Sequence, residues 1–440
     1  MFSMNAPKKR MKWANWSGNV KATPDCYHFP KSASDIQDVV NSCRIRGVSL
    51  RVTGAAHSFS PIAKPESDAM SVDNLRGLIS YDSEAMEARL WGGTYLHEAA
   101  SILAAIGMGF ENMGDIQEQT IAGAVSTGTH GTGIALGSLS SQVVAWTKVD
   151  GKGDIQHHRR SQDDLSKALS LSLGMLGVLL DVTIKTIPLY SLQMMSYRST
   201  VGEALAEWSS GIYDNRHIEW FYFPGTDTVQ VKKTNITPIH KQTLQSKTVE
   251  FMKNGLIENA GFKVISELCR VKPSMSRMLT TISAKSVPNG SKRGMYYEVF
   301  PSPRLVKFTE TEYAIPLHTF ETCIEEVHDF LRAHPFYVHF PIECRVTAGE
   351  NAFLSPTQGE ETVFLAFHMY KGMDAEPYFK WVHKLMEKYN GRPHFGKVND
   401  LTNEKMRKLY PNLQRFMEIR QQYDPNRVFM TNYLQSIFRI

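Results

Sequence analysis

The sequence predicts an α+β protein built as two units, and three observations carry that prediction. Its 440 residues exceed what one ordinary core accommodates, so two units are the natural expectation. Strand-like and helix-like patterns alternate from Trp13 to Leu189 instead of falling into one class. Glycine-rich turns punctuate that alternation at Gly54, Gly92–Gly93, Gly114–Gly133 and Gly174–Gly177. A composition of 42% hydrophobic and 21% charged residues supplies enough apolar material for two cores.

Taken in order, Ser34 and Asp35 read as a helix start, followed by Ile36, Val39, Val40 and Cys43 at helical spacing. Val48–Val52 reads as a strand feeding Gly54. Ala88–Trp91 is a strand turned by Gly92–Gly93, and Tyr95–Ile106 a helix with Leu96, Ala99, Ala100, Leu103 and Ala104 on one face. Val143–Val149 and Val178–Ile187 read as buried strands. From Gln193 to about Tyr410 the chain holds strands Trp220–Phe223 and Val363–His368 and helical patterns at Phe320–Ala333 and Tyr378–Tyr389. The last piece, Tyr410–Ile440, is short and aromatic-rich.

Several function classes are excluded. A net charge of +5 is weak for this length, and Lys8-Lys9-Arg10 is too short a basic run for nucleic acid; a disordered amino-terminal tip accounts for it. The five cysteines, at 26, 43, 269, 323 and 344, form no Cys-x-x-Cys pair, which argues against a zinc site or a disulfide framework and for a reducing cytoplasm. No metal ligand set is expected: His97-Glu98 lacks a second histidine at helical spacing. No apolar h-region follows Arg10. The longest apolar run, Leu169–Ile187, carries Asp181 and Lys185 and is no membrane span; peripheral membrane association stays open.

The densest signal is Gly114–Gly133, where glycines and hydroxyl side chains surround one apolar step, Ile121–Val125. Glycine lets another molecule approach the backbone, and successive amides make an anion-binding concavity. The run is not a Walker A loop, since no Gly-Lys-Ser/Thr ends it. Nor is it the Rossmann turn, because Gly128, Gly131 and Gly133 fall in the reverse spacing. A surface loop is the bland alternative. A second glycine-and-histidine turn, Arg51–Pro61 around His57, weighs against it.

With those residues in view, the chain resembles the vanillyl-alcohol-oxidase-type (PCMH-type) flavoproteins, on the sugar-1,4-lactone oxidase branch (D-arabinono- and L-gulono-lactone oxidases), close to alditol oxidases. The resemblance runs through Trp13–Gly18, Gly54–Ser60, Gly114–Gly133, Leu173–Val178, Glu312–Pro316, Ile342–Arg345, Arg392–Lys397 and Asp424–Asn432. It implies a two-subdomain FAD-binding domain over residues 13–190 (subdomains about 13–80 and 85–190). A substrate (cap) domain over 191–440 would follow, its C-terminal segment returning to the FAD site. Matching positions put FAD against Arg51, Thr53, Gly54, Ala55, Ala56, His57 and Ser58, and against Gly114, Asp115, Gln119, Thr120, Ala122, Gly123, Ser126, Thr127, Gly128, Thr129, His130 and Gly131. Gly174, Gly177, Val178, His394 and Lys397 complete the set. The histidine at His57's position often bonds covalently to the flavin 8-methyl group. Here Gly-Ala-Ala-His replaces the more usual Gly-x-Gly-His.

Alcohol oxidation at a flavin needs a hydride to leave carbon, a proton to leave oxygen, and stabilisation of the reduced ring's charge. Glu343 and Arg345, at i and i+2, point to one face of a strand while Cys344 points into a core. An ordinary strand salt bridge is the bland reading; the family's Glu-x-Arg favours a role in which Arg345 polarises the reacting hydroxyl. Lys397 is the expected cation near the flavin or the reacting oxygen, with burial and Arg345 expected to lower its proton affinity enough for it to act as a base. His368, at the end of an apolar strand, is either a substrate contact or a core-edge histidine. Phe395 stands where the family usually has tryptophan. The substrate expected is a small sugar lactone or a polyol. The electron acceptor is molecular oxygen or another, with oxidase and dehydrogenase both open. A flavin-free carbohydrate-binding relative is the alternative of another class.

Overall fold

A computed structural model describes residues 7–239, 258–301, 306–334 and 336–439. Helix Ala33–Arg46 shows how locally these elements are specified. Ser32 caps it, its side-chain oxygen accepting from the Asp35 amide, and Gly47 ends it in the left-handed region at φ 67°. The cap is therefore Ser32, two residues before the expected start, and Asp35 lies in the first turn, where its charge suits the helix dipole. Ile36, Val39, Val40 and Cys43 form the buried face, as their spacing predicts. The helix covers a small sheet of Lys8–Lys9, Cys26–His28, Asp68–Met70 and Leu50–Val52, in that order. Lys8 and Lys9 pair with Tyr27 and Cys26, so the basic tip is an edge strand and not a disordered tail.

The second unit is an antiparallel sheet in the order Ile155–Arg159, Val143–Val149, Val178–Lys185, Glu87–Trp91, Leu78–Asp82. The strand expected to run to Ile187 stops at Lys185, and Ile187–Pro188 pairs with Met108–Gly109 instead. Helix Leu96–Ala105 and the glycine run pack on this sheet.

The second half forms one eight-stranded sheet: Gly290–Met295, Ser191–Thr200, Thr228–Thr237, His217–Tyr222, Ile342–Thr347, Thr362–Tyr370, Phe308–Pro316 and Arg392–Pro393. Helices Val201–Asp214, Phe320–Ala333 and Glu376–Lys388 bury one face around Trp208, Trp220, Phe320 and Tyr378. The other face carries the polar residues described below. Phe395, Tyr410, Phe416 and Phe438 join the core of the first half's antiparallel sheet, and the Leu50 amide donates to the Val428 carbonyl. The C-terminal segment thus returns to the first half. Among the described residues no helix is long and apolar enough to cross a membrane.

Candidate functional site

The His57 loop is built to bring backbone close to other chain. Gly54 faces helix cap Thr120: a side-chain carbon added there would stand 2.5 Å from the Thr120 hydroxyl. Thr53 is buried against the Tyr27 hydroxyl at 2.6 Å, and Ala55 is half-buried. Ala56 sits in the left-handed region at φ 57°, a conformation that costs a non-glycine residue roughly 1–2 kcal/mol. The departure from Gly-x-Gly-His thus leaves the backbone conformation in place but strained. Ala56→Gly is expected to stabilise the protein by about 0.5–1 kcal/mol, after glycine's greater unfolded-state entropy is subtracted. A higher denaturant midpoint at unchanged slope would show it.

His57 is half-buried and stacks on Trp16, ring centroids 5.8 Å apart. The Trp16 amide donates to the Ala56 carbonyl (2.8 Å), Asn15 Nδ2 to Ser58 O (2.9 Å) and Asn19 Nδ2 to Phe59 O (3.0 Å). The segment Trp13–Asn19 thus braces this loop through Asn15, Trp16 and Asn19.

Inside the glycine run lies an unforeseen helix, Ile121–Thr127, capped by Thr120 and closed by Gly128 at φ 73°. Its small residues let it nest: the Ala122 amide donates to Gly92 O, the Thr127 hydroxyl to Gly123 O, the Thr129 amide to Ala124 O, and Ser126 O accepts the Leu173 amide. A side chain at Gly131 would overlap the Met113 carbonyl, one at Gly177, just before buried Val178, the Val149 carbonyl, and one at Gly114 would touch the His130 carbonyl at 3.0 Å. The three glycine loops therefore adjoin.

Arg51 reaches under the third loop. Its Nη2 donates to Leu173 O at 2.8 Å beside Gly174, while its buried Nε finds no hydrogen-bond partner among the described residues. Burial lowers this guanidinium to about 10. A buried cation with an unanswered donor suits the pyrophosphate of FAD. Buried Gln119 Oε1 likewise lacks a donor among the described residues. The residues present fit the cofactor.

The polar face of the large sheet supplies the other wall. Residues paired across neighbouring antiparallel strands share a face. Phe221, Glu343, Ala366 and Glu312 form one row; Glu219, Arg345, Phe364 and Ala314 the next; Glu310 and His368 a third. Arg345 donates to Glu343 and also meets Glu219 (3.3 Å) and Asp115 of the glycine run (3.5 Å). Burial opposes its charge, yet Glu343, Asp115, Glu219 and Glu312 hold the guanidinium well above its ordinary range. Cys344 points into the helix-covered core, as the strand alternation predicts.

His130 does more than turn the backbone. Its buried ring stacks on Phe364 at 3.7 Å, and its Nε2 lies 3.3 Å from Glu312. His394 accepts the Gly396 amide at Nδ1 (3.0 Å), and burial lowers it to about 4. It is therefore a neutral ring carrying its proton on Nε2. Lys397 lies 2.6 Å from Glu310 and 3.6 Å from Glu312. Its ion-pair neighbours are carboxylates where Arg345 was expected. Burial works against the charge of Glu312, but Lys397 and His130 hold it well below the usual carboxylate range. His368 lies where the polar face meets an apolar cluster: its Nε2 is 3.6 Å from Glu310, and its ring packs against buried Phe308 and Phe340 at 5.0 and 5.9 Å. The segment is locked to the His57 loop: Gly396 O accepts the Phe59 amide at 2.6 Å, and Phe395 O the Ser60 hydroxyl at 2.6 Å.

Loops of the first half and one sheet face of the second thus meet, at Asp115–Arg345, His130–Glu312 and Phe59–Gly396, and the fold is that expected of an FAD-dependent oxidoreductase. A model described as an FAD binding domain matches residues 24–159, and one described as D-arabinono-1,4-lactone oxidase matches residues 182–437. The chain belongs to the D-arabinono-1,4-lactone oxidase family. It is 32% identical to an L-gulono-1,4-lactone dehydrogenase of Mycobacterium tuberculosis, over 97% of this chain and 98% of the relative. It is 27% identical to the L-gulonolactone oxidase of Mus musculus, over 98% and 99%. The fold resembles cholesterol oxidase from Brevibacterium sterolicum, with a TM-score of 0.82 at 17% identity over 98% of this chain and 97% of that one.

Glu310, Glu219 and the part played by Glu312 are not among the residues expected from the sequence. Acidic residues at alternate positions of otherwise apolar strands were the available signal. Among the described residues, Cys26, His28 and Asp68 stand close enough to hold a metal ion, but Arg46 already occupies Asp68 at 2.6 Å.

Buried His217, His339 and His394 are each lowered to about 4 by burial. Between pH 6.5 and 4 the unfolded chain binds protons that the folded one refuses, so stability falls as pH falls, by about 3 kcal/mol per histidine over the window. His217 Nδ1 donates to the Thr132 carbonyl of the glycine run at 2.6 Å. His217→Gln should therefore flatten the acid limb of a pH–stability curve.

Proposed function

We propose that this protein oxidises a hydroxyl of a sugar-1,4-lactone, with molecular oxygen as the acceptor and hydrogen peroxide as the second product. FAD supplies the hydride acceptor, N5 of its ring. Residues 13–190 hold it and residues 191–440 present the substrate. The observation that carries the reading is one sheet face bearing Glu343, Arg345, Glu310 and Glu312, met by Lys397 from a turn that is tied through Gly396 to the His57 loop. Arg345 and Lys397 bind the reacting oxygen and favour the charge that develops as its proton leaves. Glu343 holds Arg345 in orientation and binds a neighbouring hydroxyl. Arg51 and the amides of the glycine loops hold the pyrophosphate.

His57 is the proposed covalent link to the flavin. Its partly exposed ring, braced by Trp16, suits attachment to a planar ligand. Acid precipitation of wild type should keep the yellow colour in the pellet, and His57→Ala should release it. Colour in the supernatant from both would exclude the bond.

Relatives named dehydrogenase and oxidase both match, so the acceptor is tested directly. Peroxide formed at the rate of lactone consumption supports oxygen; turnover only with an added dye refutes that part. Alditols such as xylitol and sorbitol form the contrast arm of the substrate panel.

A further inference from the structure

We propose that Glu310 and Glu312 form a two-carboxylate clamp on Lys397, in which Glu312 keeps the ammonium in place and Glu310 receives the proton that Lys397 passes on. The inference rests on the reading that Lys397 faces the substrate hydroxyl. That reading leaves a difficulty: an ion-paired lysine is a good donor to oxygen but has no room for another proton. The geometry resolves it. Nζ lies 2.6 Å from Glu310 Oε1, a hydrogen-bond distance, and 3.6 Å from Glu312 Oε2.

The two carboxylates differ in their outer partners. Glu312 also faces His130 at 3.3 Å, and its strong hold on its charge makes it a poor proton acceptor. Glu310 faces His368 at 3.6 Å across the strand pair, a weaker claim on its oxygens. His394, from the segment preceding Lys397, is neutral and adds no competing charge. Glu343 and Arg345 stand one strand further, bonded to each other.

The step balances. The substrate O–H bond breaks and its proton joins Lys397 Nζ, while one Nζ–H bond breaks and that proton joins Glu310 Oε1. The C–H pair leaves as hydride to the flavin, and the alcohol becomes a carbonyl. Glu310 and Glu312 act through Lys397 and are positioning residues.

The test uses FAD-loaded wild type, Glu310→Gln, Glu310→Asp and Glu312→Gln, with bound flavin per chain as the folding check. First, acetylation of Lys397 by acetic anhydride is followed against pH by peptide mass spectrometry. Losing Glu310 should move the labelling midpoint down by about one pH unit or more. Second, flavin reduction by lactone is followed anaerobically against pH. Wild type should show an acid limb. Glu310→Gln should lose that limb and slow about 100-fold, Glu310→Asp should restore it, and Glu312→Gln should keep it. Unchanged labelling and an unchanged limb in Glu310→Gln would overturn the clamp. A wild type reduced by no lactone would instead overturn the proposed function and the proton path with it, the labelling then deciding the clamp alone.

Discussion

Arg345→Leu is expected to cost both stability and turnover. Arg345 meets Glu343, Glu219 and Asp115 in a buried cluster, and Lys232 lies 3.4 Å from Glu219. Removing one partner of a buried ionic network leaves uncompensated charge, a loss of about 3–5 kcal/mol out of a typical total of roughly 5–15. The pH dependence gives the mechanism away. Burial raises the proton affinity of Glu219, but Lys232 and Arg345 outweigh it and lower its pKa. Wild type therefore holds this stabilisation above the ordinary carboxylate range and loses it as pH falls through the lowered value. In the variant the carboxylates repel one another and gain from protonation, so the gap to wild type should be widest near pH 7 and narrow below about pH 5. Denaturant midpoints across that range measure it. Arg345→Lys keeps a charge but not a fork that reaches three carboxylates, and it should recover only part of the loss.

Lys397→Ala is expected to slow flavin reduction by about 100- to 10,000-fold while leaving FAD bound. The loops proposed to hold the cofactor are built on Arg51, Thr120 and the glycine turns of the first half. Lys397 reaches the site from the far edge of the large sheet. The variant loses the donor to the reacting oxygen and leaves Glu310 and Glu312 facing each other without their shared cation. A full complement of flavin, reduced slowly at saturating lactone, is the expected pair of results. An unchanged rate of reduction would remove Lys397 from the reaction.

Much of this arrangement was legible in the chain. The Ile36–Cys43 stripe, strand Val143–Val149 and helix Phe320–Ala333 follow directly from local periodicity. Glycine positions marked the cofactor loops because steric intolerance there is local: Gly131 and Gly177 each face a carbonyl. Helix Ile121–Thr127 was hidden by the same glycines and hydroxyls, and its cap and tertiary contacts fix it where propensity does not. The partners of Lys397 were not legible, because they depend on strand register. Glu310 and Glu312 meet this lysine, in the turn after edge strand Arg392–Pro393, only once the eight-stranded sheet is assembled. Glu219 was hidden for the same reason, pairing with Arg345 across 126 residues of sequence.

Anaerobic mixing of the purified yellow protein with D-arabinono-, L-gulono- and L-galactono-1,4-lactone, beside xylitol and sorbitol, tests the central claim most directly. The account predicts that at least one lactone bleaches the visible flavin band in a saturable phase, faster than either alditol, and that Lys397→Ala abolishes the fast phase with its flavin intact. A flavin band untouched by every lactone, or bleached only by the alditols, would contradict it.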